Sequence, residues 1–250
     1  MKRSTIGWIV AAVLAIAGSA FAYVFWFAGG SGEPSTELTT PELTATTTTV
    51  DEGETDEPEP TETTSGSGAA TATYVINSSQ STARFEIDEV LNGSPTHVVG
   101  ATDQVAGQVR VDPADLSSAE FSEIVINART LTTDRSSRDR AMRGPVILNS
   151  GSDEHEFITF TVTSVDRLEG EATAGSTVDF TITGDLTVKG TTQPVTFDAS
   201  VTFVDASTIE GTATAEITRD MFDIGIPNVP SVAEVTNEVL IGLEFTALAG

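Results

Sequence analysis

The stretch TTDRSSRDRAMR, Thr132 to Arg143, gathers Arg135, Arg138, Arg140 and Arg143, four of the ten basic side chains beyond residue 72. A guanidinium presents paired N–H donors to a carboxylate or phosphate, so such a cluster fits an anionic head group. Asp134 and Asp139 offer the competing reading, in which the arginines pair among themselves and with an acidic surface. A second Arg-Asp step, Arg219 and Asp220, follows a strand-like segment. Arg138, Asp139, Arg219 and Asp220 are therefore the head-group candidates: two pairs that either bracket one rim or bridge to each other. Within the cluster, Asp134 or Ser136 suits the N-cap of a short helix.

Other chemistry has little material. His97 and His155 lack the HxH or HExxH spacing of a metal site. The chain has no cysteine, which removes disulfides, thiolate ligands, a cysteine nucleophile and a lipid-modified cysteine. No glycine-rich loop follows a strand and opens a helix, so no nucleotide site is indicated. Asp139, Asp220 and Asp223 form acid pairs only if tertiary structure brings them together; hydrolysis by Asp139 and Asp220 is the remotest reading. No catalytic residue, metal or cofactor is assigned. Asn77 (NSS) and Asn92 (NGS) have the form of glycosylation sequons. With 37 acidic against 12 basic residues the formal charge is −25, which repels a phosphate backbone and excludes nucleic acid as a partner.

Three regions position these residues. Residues 6–29 carry no charged side chain. At about 1.5 Å per residue they span a bilayer core of roughly 30 Å. Lys2 and Arg3 precede them and the next basic residue is Arg84, which places the N-terminus in the cytoplasm and the rest outside, periplasmic or extracellular. Ala20, Phe21 and Ala22 have the small-x-small form of a signal peptidase site. The apolar run nevertheless continues through Tyr23–Phe27, an aromatic cluster suited to a membrane interface. The preferred reading is an uncleaved single-pass anchor, 1–29. Residues 30–72, rich in Thr, Pro and Glu, hold ten acidic and no basic residues. They are expected to be a disordered, self-repelling stalk, with a TTTT run reminiscent of glycosylated linkers.

From 73 to 250 the pattern has period two. Val178, Phe180, Ile182, Leu186 and Val188 alternate with polar residues, Gly184 taking the remaining inward place. The same alternation marks 193–204, 209–217 and 235–245, and strands are expected at 74–76, 81–88, 104–111, 121–129 and 157–165. Gly190 and Thr191 predict one tight hairpin and Asp205 to Ser207 the next, giving an antiparallel meander. About eight strands suit a closed barrel or a sandwich. Segment 209–217 turns Gly211, Ala213 and Ala215 to the apolar side. Their small size leaves room for a ligand; packing against the nine phenylalanines of the domain explains them equally well.

Several motifs in order resemble the YceI-like family of bacterial polyisoprenoid-binding proteins along nearly all of 74–248. They are HVVGATDQVAGQV (His97 to Val109, with Gly100 and Gly107), the VDP of Val111 to Pro113, and TLTTDRSSRDRAMR with Arg138 and Asp139 at matching positions. HEFITF (His155 to Phe160), GDLTVKGTTQPVTF (Gly184 to Phe197), ITRDMFDIG (Ile217 to Gly225) and VTNEVLIGLEF follow. The resemblance implies an all-β fold: an eight-stranded antiparallel lipocalin-like barrel with a short helix and an elongated apolar cavity. The inward positions assigned to that cavity are Phe85, Phe160, Phe180, Ile182, Phe197, Ala213, Ala215, Ile241 and Leu243. Where the family usually has Tyr-Pro ahead of Ile158, in a Tyr-Pro-x-Ile-x-Phe run, this chain has His155 and Glu156, and GPVILNSGSDE follows Arg143, so the lid near 144–156 is expected to differ.

The expected function is that of a membrane-tethered binding protein holding an isoprenoid or similar amphiphile. The rival is an extracellular structural or adhesion module whose barrel is filled by its own side chains. Neither ligand identity nor oligomeric state, dimer included, is fixed by the sequence.

Overall fold

The computed structural model describes residues 32–35, 38–43 and 71–250. The segment 1–29 and most of the 30–72 linker lie outside the described residues. Among the described residues no helix is long and apolar enough to cross a membrane. Residues 72–249 form one antiparallel sheet of thirteen strands curled into a barrel-like shape, with one short α-helix.

In chain order the strands are β1 (Ala72–Ile76), β2 (Thr82–Leu91), β3 (Ser94–Thr102), β4 (Val105–Ala106), β5 (Gln108–Asp112), β6 (Asp115–Phe121) and β7 (Ile124–Asn127). The helix α1 (Ser136–Arg143) follows. Then come β8 (Phe157–Asp166), β9 (Thr177–Val188), β10 (Thr191–Asp205), β11 (Thr208–Thr218), β12 (Val232–Val235) and β13 (Glu238–Ala249). Neighbours run β4-β7-β8-β9-β10-β11-β13-β1-β5-β6, while β2 pairs with β3, β12 and the first half of β13. The count exceeds the expected eight for local reasons. β1 and β2 lie end to end along β13, separated by the turn Ser78–Gln80. Ser122 interrupts the long hairpin of β4–β5 with β6–β7; its N–H and Oγ both bond Gln108, each at 2.9 Å. The whole of β3, residues 115–120 of β6 and residues 232–234 of edge strand β12 were not among the expected segments.

The alternation sets which face is inside. Along β9, Phe180, Ile182, Leu186 and Val188 are buried, and along β10 so are Val195, Phe197, Ala199, Val201 and Phe203. Outward threonines meet across that pair as hydroxyl-to-hydroxyl contacts, Thr183 with Thr196 and Thr187 with Thr192, both at 2.8 Å. The β9–β10 turn is Lys189-Gly190, both at positive φ (52° and 75°), rather than Gly190-Thr191. That is the two-residue geometry favoured by the right-handed twist of paired strands. Asn92-Gly93 makes the same turn between β2 and β3 (φ 51° and 79°). At the β10–β11 turn, Asp205 accepts from the N–H and Oγ of Ser207, each at 2.8 Å.

Two inward glycines let aromatic rings lie against the sheet. A Cβ at Gly211 would come within 2.8 Å of the Phe245 ring, its cross-strand partner. One at Gly184 would come within 2.6 Å of Phe160, whose ring meets Phe197 edge-on at 5.0 Å. Helix α1 and the loop 144–156 close one end of the barrel, burying Leu131, Met142, Leu148 and Phe222 in the common core.

Candidate functional site: an apolar cavity

The curled sheet wraps round a cavity of about 240 Å³ that is partly open to solvent. Phe85, Phe160, Phe180, Ile182, Phe197, Ala213, Ile241 and Leu243 line it. Ala215 does not: it is buried in the surrounding core. The sequence reading treated the two alanines alike, and the structure separates them. Further lining residues that it did not single out include Tyr74, Val109, Leu116, Phe121, Phe203 and Phe245. Several lining side chains, Phe85, Ile241 and Phe245 among them, are only partly buried although they point inward, because the surface they expose faces the void.

The lining's chemistry is nearly uniform. Among the described residues, only Tyr74, Arg84 and Gln108 bring polar side-chain groups to it. The Tyr74 hydroxyl already donates to the Ala206 carbonyl (3.2 Å), and burial, then Asp205, raises its pKa, which keeps it neutral. Arg84 pairs with Glu244 at 2.8 Å. A molecule inside therefore meets methyl, methylene and ring surface. Such a site selects by bulk and length, and any polar end of a ligand must stay at a mouth where water or a rim group replaces its hydration.

The four head-group candidates do not line this cavity. Arg138 Nη2 donates to Glu89 at 2.8 Å, both side chains being largely buried, and Nη1 reaches Asp134. Asp139 accepts from the N–H and Oγ of Thr133, each at 2.7 Å, which braces the start of α1. The N-cap position itself is Arg135 and carries no side-chain cap bond, so neither Asp134 nor Ser136 fills that role. Arg219 spends its guanidinium on the carbonyls of Thr236 (2.7 Å), Ile224 (3.1 Å) and Val235 (3.2 Å). Asp220 is held by Asn237 Nδ2 at 3.0 Å. Because Val235 stands opposite Glu89 in the β2–β12 ladder, the two Arg-Asp pairs flank one strand pair without bridging each other. The histidines are equally committed. His97 sits between Asp88 (2.8 Å) and Glu86 (3.2 Å), whose hydrogen bonds raise its pKa, with Asp88 the stronger influence, and His155 meets Asn149 at 2.9 Å.

A polar centre that the sequence did not reveal lies where β7 ends and β8 begins. Arg129, 5% exposed, donates to Glu156 Oε2 (2.8 Å), Asp153 Oδ1 (2.6 Å) and the carbonyls of Ser150 (2.6 Å) and Gly151 (3.2 Å). Asn127, fully buried, donates to Glu156 Oε1 at 3.0 Å. Linker residues complete the set: the Ser35 N–H donates to Glu156 Oε1 (2.7 Å), and the Glu33 carbonyl accepts from Arg129 (3.0 Å). No periodicity connects residue 35 to residue 156, so only the fold discloses it.

Residues 74–247 match the family of the YceI-like domain. Among curated relatives, a UPF0312 protein of Pectobacterium carotovorum is 36% identical over 84 residues, 34% of this chain and 38% of the relative. The YceI protein of an Escherichia coli strain is 34% identical over 84 residues, 34% of this chain and 39% of the relative. The match thus spans under two fifths of those relatives. Two solved structures share the fold. A polyisoprenoid-binding domain from Saccharophagus degradans, implicated in plant cell wall breakdown, superposes with a TM-score of 0.55 at 13% identity, covering 72% of this chain and all of that one. BcnA of Burkholderia cenocepacia gives 0.53 at 19% identity, covering 68% and 98%.

Proposed function

The chain belongs to the YceI-like family, and we propose that it is a membrane-tethered, extracytoplasmic lipid-binding protein that holds an isoprenoid or similar amphiphile in its barrel. The observation that carries this reading is the interior cavity of about 240 Å³ with an almost wholly apolar wall. A barrel filled by its own side chains would leave no such space. If a methylene occupies about the share of a liquid water, roughly 30 Å³, the void accepts about eight such groups. At about 0.8 kcal/mol each, burial supplies roughly 6 kcal/mol, equivalent to a Kd of tens of micromolar before association costs. A longer polyisoprenoid requires lining rings to move aside. Binding needs no covalent step, and no residue of the cavity is placed for one.

The anchor, 6–29, supports tethering by its length and lack of charge, and Lys2 and Arg3 support the outward placement of the barrel. Native mass spectrometry of the detergent-extracted protein, followed by lipid extraction, tests the binding. A copurifying lipid, or uptake of an added polyprenol, is expected. A ligand-free mass with no uptake overturns the proposal and leaves the stalked structural module.

A further inference from the structure

The acidic linker was expected to be a disordered, self-repelling stalk, yet its first described residues lie on the barrel. Glu33 and Ser35 complete the hydrogen bonding of the buried Arg129–Glu156 pair. Gly32 packs so closely on the Arg129 guanidinium that a Cβ there would collide with it. Further on, the Pro41 carbonyl accepts from Gln108 Nε2 at 2.6 Å. The linker is thus attached at two places within ten residues, the Arg129–Glu156 pair and Gln108. The first serves charged groups that would otherwise be buried with fewer partners, a costly arrangement.

The attachment lies just beyond the apolar segment. Two residues lie between residue 29 and Gly32, and the three steps reach about 10 Å at most. The loop 144–156, which supplies Ser150, Gly151, Asp153 and Glu156 to Arg129, must then sit close to the bilayer. The same loop exposes Val146, and Gly225 lies against Val146 beside exposed Ile226. Charge agrees with this orientation. Residues 129–156 hold five basic and five acidic side chains, whereas the remainder of the domain from residue 73 on holds five basic and twenty-two acidic ones. The neutral end can approach an anionic surface that repels the rest.

We propose that residues 32–35 and 38–41 strap the barrel to the bilayer surface, with the 144–156 end foremost and Val146 and Ile226 meeting the lipid head groups. This rests on the reading of 6–29 as an anchor. The chain has no cysteine, so Val146→Cys and Ala206→Cys, at opposite ends of the barrel, each accept a single fluorophore. Full-length protein is reconstituted into phosphatidylcholine–phosphatidylglycerol vesicles carrying a lipid-borne quencher. The fluorophore at 146 should lose most of its emission and that at 206 should keep it. Gly32→Val, and separately Ser35→Pro, which deletes the donor to Glu156, should restore emission at 146 while the protein still floats with the vesicles. Equal quenching at both ends, or quenching at 146 that neither variant changes, overturns the strap. Protein that floats but is unquenched at 146 refutes the docking alone, whereas protein that fails to float removes the anchor as well.

Discussion

Replacing Ala213 by Phe separates a cavity built for a guest from a gap in packing. The Ala213 methyl faces the void, opposite Leu243 across β11–β13. A phenyl ring has about the bulk of three to four waters, roughly 100 Å³ on the liquid scale. That is some two fifths of the 240 Å³ available. The ring displaces three to four methylene equivalents of ligand, about 3 kcal/mol, or roughly a hundredfold in Kd. Because the ring enters space already empty, the free protein should melt at the same temperature or higher. Ala215→Phe is the control, since Ala215 is buried away from the void. Overpacking there should cost about 1–3 kcal/mol of stability. Thermal melts with and without polyprenol, and competition against a polarity-sensitive dye, read both quantities. A lowered Tm for Ala213→Phe with unchanged lipid affinity would refute the reasoning.

Gly184→Ala should destabilise the barrel by about 1–3 kcal/mol in a chemical melt, because its Cβ would meet the Phe160 ring at 2.6 Å. Arg138→Ala should lower stability by about 1–3 kcal/mol through the unpaired Glu89, and should leave affinities for a carboxylated and a neutral isoprenoid equal; an effect on the anionic ligand alone would return Arg138 to the site. Burial raises the pKa of Glu156, but hydrogen bonds from Ser35, then Asn127, and the charge of Arg129 outweigh it, so the net shift is downward. Its stabilisation is therefore present above the unfolded value of about 4.3 and lost as pH falls through the lower folded one. Glu156→Gln should flatten that acid limb of a pH series of melts.

Period-two alternation made the meander of β8 to β11 and β13 legible, because a strand with one wet face repeats its inward residues without reference to anything distant. β3 was missed for a different reason. Asn92-Gly93 was read as part of a sequon, although that dipeptide is a strong two-residue hairpin signal. β6 shows mostly Ser and acidic residues, and burial of Leu116 alone gave no period. The cavity wall followed from the inward positions. The difference between Ala213 and Ala215 depends on which neighbours fill the space beside each, and alternation carries no such information. The arginine cluster is ambiguous in sequence because a guanidinium suits a lipid phosphate and a protein carboxylate equally; only tertiary placement gives Arg138 the Glu89 and Asp134 carboxylates and Arg143 the Leu131 carbonyl, at 2.9 Å.

The near absence of polar groups from the cavity wall also has a kinetic side. With no hydrogen bond to fix its register, a chain inside can slide along the barrel axis at little energetic cost. Withdrawal then proceeds through graded partial exits, each giving up about 0.8 kcal/mol per methylene rather than breaking one strong contact. Release slows with ligand length and quickens wherever an acceptor bilayer takes up the emerging end.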